Sequence, residues 1–129
     1  MHLNDSEFAN IVRQTPLVSI DLCILKDRRI LLGRRLNSPA KDYFFVPGGR
    51  IRKEEPIMIA FKRILNEELG LEILNENHKS FLGVYEHFYQ NNFKDNNLFN
   101  THYVVLAYSI NHTNLKNKVG KPLKEQHSE

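Results

Sequence analysis

The sequence predicts a mixed-sheet domain of the α/β (α+β) class, and three observations predict it. Strand-like runs, alternating or rich in β-branched and aromatic residues, occur at residues 17–25, 29–33, 43–46, 81–88 and 101–110. One amphipathic helical pattern ending at Leu69 sits in their midst, and a shorter one at residues 4–14 precedes them. Strands interleaved with so few helices pack as layers around one core. At 129 residues the chain is long enough to bury most of that core, so residues 1–129 are expected to form a single domain.

In chain order, residues 4–14 read as a helix capped by Asn4 or Asp5, with Phe8, Ile11 and Val12 along one side. Thr15-Pro16 ends it. Residues 17–25 alternate around Ser19 and Asp21 as a half-buried strand should, which makes Cys23 a small core residue. Lys26-Asp27-Arg28 is a turn, and residues 29–33 return as the second strand of a hairpin. Asn37-Ser38-Pro39 marks a loop, after which residues 43–46 deliver the chain to Pro47-Gly48-Gly49, read as a strand end and a glycine turn.

A charged loop then leads to Pro56, which suits a first helical position because its missing N–H costs nothing there. Gly70 suits a left-handed C-cap, with Leu71 closing the accompanying apolar contact. Ile57, Phe61, Ile64 and Leu65 share one face of the helix between them. Glu68 falls in the same sector, where a carboxylate is costly unless a cation or a donor meets it. Residues 72–79 are polar and loop-like, residues 90–100 are asparagine-rich and read as a mobile surface loop or long hairpin turn, and the tail from Asn111 is polar, basic and partly disordered.

Composition narrows the classes. No apolar run approaches the ~20 residues of a membrane span, and the N-terminus has no signal-peptide core. Cys23 is the only cysteine, which rules out an internal disulfide and fits a cytoplasmic setting. The net charge of +3 suggests an anionic partner. Lys116, Lys118, Lys121 and Lys124 read as a solvated tail. Arg34, Arg35, Arg50, Arg52 and Lys53 flank the glycine stretch, where phosphate binding is the sharper reading. No nucleic-acid-binding motif is present. Glu55 precedes the helix, and Arg63 and Glu67 form an i, i+4 pair on it. Acidic groups converging near a glycine stretch suit a hard, oxygen-seeking cation such as Mg²⁺, above all one shared with substrate phosphates.

Residues 49–71 resemble the Nudix box, Gly-x5-Glu-x7-Arg-Glu-apolar-x-Glu-Glu-x-Gly-apolar. Gly49, Glu55, Arg63, Leu65, Glu67, Glu68, Gly70 and Leu71 fall in register, and one position departs: Ile64 stands where the box has Glu. In ordinary Nudix hydrolases that Glu helps bind metal or activate water, so its replacement argues against standard attack at phosphorus. The resemblance implies an α/β/α sandwich with a mixed sheet.

Flanking strings narrow the resemblance to the GDP-mannose mannosyl hydrolases, a group that also lacks this Glu. They are Phe8, Arg13-x-Thr15-Pro16-Leu17-Val18-Ser19-x-Asp21, Leu31-Leu32-Gly33-x-Arg35, Phe45-Val46-Pro47-Gly48-Gly49-Arg50, Gly83-Val84-x-x-His87-Phe88-Tyr89, Thr101-His102-Tyr103-Val104-Val105-Leu106 and Glu125-Gln126-His127. The resemblance implies Mg²⁺-dependent attack of water on the anomeric carbon of the sugar, releasing GDP and free mannose, with Mn²⁺ as an alternative metal. It implies His127 as general base, with Gly48, Glu68 and Gln126 as metal ligands. It further implies Arg35, Arg50 and Tyr103 as stabilisers of the departing diphosphate, and Asp21 and His87 as groups that orient or tune the site. His2, Leu3 and Phe8 match a nucleotide-contacting N-terminal segment that reaches across a homodimer. A nucleotide-sugar substrate, no nucleic acid and no membrane complete the implied partners.

By residue type alone, blander readings stand beside these. Asp21 on an alternating strand reads as a solvent-facing polar residue, His87 and His102 as hydrogen-bonded core histidines, and Tyr103 as a packed aromatic. Arg63 reads as structural, paired to Glu67 or Glu55, and Gln126 and His127 as solvated tail residues. Two departures bear on activity. Glu67 occupies a position commonly non-acidic in the mannosyl hydrolases, where it either binds a second metal or pairs with Arg63. The mannosyl hydrolases also continue past the position of Glu129 into an aromatic-containing segment and a final helix. The sandwich is therefore expected to lack its C-terminal helix and to expose apolar sheet surface unless a partner covers it. The competing readings are a conventional Nudix pyrophosphohydrolase of nucleoside diphosphate derivatives and a non-catalytic nucleotide-sugar binding protein.

Overall fold

The computed structural model describes residues 3–34, 44–90, 92–94 and 98–117. The predicted site positions His2, Arg35, Gln126 and His127 lie outside the described residues, as does the loop at Asn37-Ser38-Pro39.

Helix α1 spans Asp5–Gln14. The Asn4 side chain accepts from the Glu7 backbone N–H at 2.8 Å while the Glu7 carboxylate accepts from the Asn4 N–H at 3.2 Å. This reciprocal capping box identifies Asn4 as the cap and satisfies two otherwise orphaned donors. The strands are β1 (Leu17–Lys26), β2 (Arg29–Ile30), β3 (Gly33–Arg34), β4 (Phe44–Phe45), β5 (Gly48–Arg50), β6 (Leu71–Ile73), β7 (Lys79–Tyr89), β8 (Thr101–Asn111) and β9 (Leu115–Asn117), with helix α2 over Ile57–Leu69. The main sheet runs β2-β1-β8-β7, with β5 also paired to β1. β1 and β8 are parallel and the other pairs antiparallel, so the sheet is mixed as expected.

The predicted return strand at residues 29–33 is divided. Arg29 and Ile30 pair with Lys26 and Leu25, but further along the same edge of β1, Ser19, Ile20 and Asp21 pair with Arg50, Gly49 and Gly48. With that edge occupied by β5, the chain leaves it, and Gly33–Arg34 pairs with Phe44–Phe45 instead. The tight β1–β2 turn places Asp27 and Arg28 at φ 49° and 66°, the doubly left-handed geometry of a two-residue hairpin.

Ile20, Leu22 and Ile24 of β1 and Ile110 of β8 pack against Ala60, Phe61, Ile64, Leu65 and Leu69 of α2 to form the core. Ile57, expected on that buried face, is exposed because the helix begins there and first meets the sheet at Ala60 and Phe61. Pro56 is the N-cap and not the first helical residue: its ψ of 148° is extended. Gly70 adopts the left-handed C-cap at φ 66°, its N–H donating to Asn66 O at 2.8 Å.

Two further expectations change with the tertiary context and two are refined by it. Residues 72–79 are not a loop throughout: β6 runs to Ile73, because β9 supplies pairing partners that lie some forty residues away in sequence. The same pairing orders part of the segment after Asn111, with a 3-10 turn at His112–Asn114 leading into β9. Cys23 is half-buried outside the core, since it shares the face of Asp21 and not that of Ile24. The asparagine-rich stretch connects the antiparallel β7 and β8, the long hairpin turn of the two expected alternatives; within it Asn92 is 0% exposed, donating to Phe99 O at 2.9 Å and accepting from the Lys94 N–H at 2.8 Å. Strand β7 forms the sheet edge, and its Phe81, Val84 and Phe88 are each more than half exposed, so apolar sheet surface is open there. No helix among the described residues is long and apolar enough to cross a membrane.

The Gly48-Gly49 pair is a strand and not a turn. A Cβ at Gly48 would collide with the Ile20 carbonyl oxygen, and one at Gly49 would stand 3.2 Å from Ile64 Cγ1. These glycines are needed for close approach of β5 to β1 and of α2 to β5, and no left-handed φ is involved. Gly48→Ala is expected to cost roughly 2–3 kcal/mol through a forced backbone shift, and Gly49→Ala less, since Ile64 is a side chain that can yield. Urea unfolding midpoints of the two variants check the order; equal midpoints would show that the β1–β5 approach tolerates a methyl group.

Candidate active site

Two clusters of candidate side chains meet around β5. Because Ile20, Leu22 and Ile24 face α2, alternation sends Ser19, Asp21 and Cys23 to the opposite face of the sheet. Register partners share a face, so Arg50 (opposite Ser19), Tyr103 (opposite Leu17) and His87 (opposite Tyr103) join them. The sheet therefore gathers Asp21, Arg50, His87 and Tyr103 from four strands onto one surface.

Asp21 and His87 form the clearest pair there, with Nε2 of His87 3.9 Å from Oδ2 of Asp21. Burial raises the Asp21 carboxyl from 3.8 to about 6, partly offset by the charge of His87. Burial, together with Asp21, also pushes the Cys23 thiol up, consistent with an unreactive thiol. Tyr103 packs edge-on against Tyr89 with ring centroids 6.2 Å apart. Arg50 projects toward α1, its guanidinium carbon 5.0 Å from the centroid of the Phe8 ring. Phe8 in turn contacts Phe93 at 4.9 Å. His102 belongs elsewhere: it faces the α2 side, within hydrogen-bond distance of Glu86 at 3.0 Å and stacked on Phe88 at 4.3 Å.

The second cluster braces the loop before α2. The Arg63 guanidinium donates from Nε and Nη2 to the two Glu55 oxygens at 2.7 and 2.9 Å, from Nη1 to Glu67 at 3.1 Å, and from Nη2 to the Arg50 carbonyl at 2.8 Å. Hydrogen bonding to Arg63 holds the Glu55 carboxyl down at about 2. Glu55 also accepts from the Arg52 N–H at 3.1 Å. Arg63 thus pairs with both of the acidic partners weighed from sequence. Glu67 is engaged by Arg63 and lies 3.9 Å from Arg52. Ile64 is 1% exposed, packed in the core beside Gly49. Glu68, one turn further along α2, is half-buried.

A NUDIX domain model matches residues 15–129 of the chain. The chain belongs to the Nudix family. This Nudix chain is 40% identical over 106 residues to the low-salt glycan biosynthesis protein Agl8 of Haloferax volcanii, an alignment covering 82% of this chain and 65% of that protein. It is 43% identical over 70 residues to an ADP-ribose pyrophosphatase of Methanocaldococcus jannaschii, covering 54% and 40% of the two chains. It therefore spans less than two thirds of the length of either relative. Among solved structures, a MutT protein from Methanosarcina mazei superposes with a TM-score of 0.61 at 16% identity, over 90% of this chain and 75% of that one. A MutT Nudix hydrolase from Burkholderia pseudomallei gives 0.60 at 22% identity, over 88% and 94%. These likenesses support the Nudix fold, a mixed sheet with two α-helices among the described residues.

Nudix hydrolases use divalent metals such as Mg²⁺. Among the described residues no three His, Cys, Asp or Glu side chains converge as a ready-made metal cage. The described donors named from sequence, the Glu68 carboxylate and the Gly48 carbonyl, are hard oxygens of the kind Mg²⁺ prefers, and Mg²⁺ commonly completes its shell with waters and substrate phosphates. Leu3, half-buried, lies just before α1 in the Nudix chain. Asn92 and Phe93 escaped the sequence reading, since an asparagine-rich stretch gives no sign of which asparagine is buried.

The raised Asp21 value carries a stability cost. Its unfolded carboxyl ionises near 3.8 and its folded one near 6, so the native state binds the extra proton between those values and stability falls as pH rises through them. Asp21→Asn is therefore expected to raise the melting temperature at pH 7.5, by an amount worth roughly 1–3 kcal/mol. The gain should shrink as the pH drops from about 6 towards 4. A melting difference that does not vary with pH would show that Asp21 is not desolvated in the folded chain.

Proposed function

We propose that the chain is a Mg²⁺-dependent hydrolase of GDP-mannose that releases GDP and free mannose by attack of water on the anomeric carbon. The observation that carries this reading is Ile64. At the box position where phosphorus-attacking Nudix enzymes bring a carboxylate, this chain buries an isoleucine against Gly49. A glutamate there would have to place its charge in the core at several kcal/mol. The conventional pyrophosphohydrolase, the activity named in the ADP-ribose pyrophosphatase relative, has Glu67 in its favour. That carboxylate is already held by Arg63 and Arg52, which supports pairing over service to a second metal. The name of the Agl8 relative, a low-salt glycan biosynthesis protein, fits a sugar-bearing substrate.

On this reading Arg50 stabilises the departing diphosphate. Burial lowers its pKa, with Arg52 adding to the effect, yet a guanidinium remains charged at neutral pH. Tyr103 donates a hydrogen bond to the same leaving group. Asp21 and His87, paired across β1 and β7, orient or tune the site. Glu68, the Gly48 carbonyl and Gln126 would hold the metal, His127 takes the proton from the attacking water, and Arg35 adds a second cation at the diphosphate. A bound Mg²⁺ would supply positive charge at the phosphate oxygens. The nucleotide meets Leu3, His2 and Phe8 at the N-terminal segment, and the active form is a homodimer.

NMR of the products formed from GDP-mannose and Mg²⁺ decides between the readings. GDP and free β-mannose are expected; GMP and mannose 1-phosphate would replace this reading with phosphorus attack, and binding without turnover would replace it with a nucleotide-sugar binding protein. Glu68→Gln is expected to reduce Mg²⁺-dependent turnover at least a hundredfold; near-normal activity would remove Glu68 from the metal site.

A further inference from the structure

We infer that Phe93, held by Asn92 in the connection between β7 and β8, forms with Phe8 the aromatic platform on which the nucleotide base stacks. The inference rests on the reading of the chain as a nucleoside-diphosphate-binding enzyme and adds to it two residues outside the Nudix box. Three features converge on Phe93. Its ring contacts Phe8 of α1 at 4.9 Å with the planes tilted by 48°, and Phe8 carries the Arg50 guanidinium at 5.0 Å. The Lys94 ammonium lies 6.0 Å from the Phe93 ring itself. Two half-buried rings flanked by two cations match a nucleotide, whose base offers an apolar π-face and whose phosphates are anionic.

The third feature is the anchor. A phenylalanine on a surface turn has no fixed place unless the turn is held. Here Asn92 is fully buried and spans the connection, donating to Phe99 O and accepting from the Lys94 N–H. Burying an amide is costly unless both its donor and its acceptor are used, and these two bonds use them to close the turn around Phe93. Asn92 is thus a positioning residue and Phe93 a binding residue. Because any base presents a π-face, the platform confers affinity for nucleotides without choosing guanine.

The test is calorimetric binding of GDP and of inorganic pyrophosphate to the full chain with Mg²⁺. Phe93→Leu keeps the apolar packing on Phe8 but removes the stacking face. It is expected to weaken GDP binding about tenfold, with pyrophosphate affinity and melting temperature unchanged. Phe93→Tyr should restore GDP affinity. Asn92→Ala should weaken GDP binding alone, but add nothing in the Phe93→Leu background if it acts through the ring. GDP affinity that survives Phe93→Leu would overturn the platform while leaving the proposed activity standing. Equal losses for GDP and pyrophosphate would overturn it in favour of a disturbed Arg50. A wild-type chain that binds neither ligand would overturn both the platform and the activity.

Discussion

One guanidinium ties the parts of this chain together. Arg63 leaves α2 and reaches the loop at Glu55, the helix flank at Glu67 and the backbone of β5 at Arg50. Arg63 and Glu55 are both largely shielded from water, with side-chain exposures of 19% and 11%. Such a pair is worth little against an apolar replacement, but removing one partner strands the other, at about 3–5 kcal/mol. The bond to the Arg50 carbonyl fixes the end of the strand from which the Arg50 side chain departs toward Phe8. The loop geometry of the Nudix box and the N-terminal helix are therefore linked through one residue.

The two faces of the sheet differ in character. On the α2 side, alternate residues of β1 enter an apolar core that includes Ile64. On the other side the same strand offers Ser19, Asp21 and Cys23, and the neighbouring strands add Arg50, Tyr103 and His87. Burial lifts Asp21 well above an ordinary carboxyl, so the folded chain carries a charge that it would hold more cheaply unfolded. A desolvated acid beside a histidine in such a place is a frequent mark of a site. The Glu55 carboxyl is shifted in the opposite direction by Arg63. It stabilises the fold at neutral pH and loses that effect as the pH falls towards 2. The two acids thus mark a strained surface and a structural brace.

The local grammar of the chain was readable in advance. A cap at Asn4 or Asp5, a left-handed cap at Gly70, and a helical face of Ile57, Phe61, Ile64 and Leu65 (of which Ile57 alone is exposed) each depend only on neighbours within a few residues. The box register also pointed to the Arg63 pairs. The meaning of Gly48 and Gly49 was not local. In sequence they suggest a turn, whereas the close approach of Ile20 and Ile64 makes them a strand.

What the sequence by itself determined is thus the two helices and the long strands, the Nudix box and the Arg63 pairs, because capping, periodicity and i, i+4 pairing act over one or two turns of chain. Only the tertiary structure decided which edge of β1 belongs to β5, that residues 29–33 divide between two sheets, that β6 finds β9, and that Asp21, His87, Arg50 and Tyr103 come to share a face. It also decided that Asn92 is buried while its neighbour Phe93 meets Phe8. Strand pairing and burial join residues separated by dozens of positions, and a pattern confined to its neighbours carries no record of which distant partner will arrive.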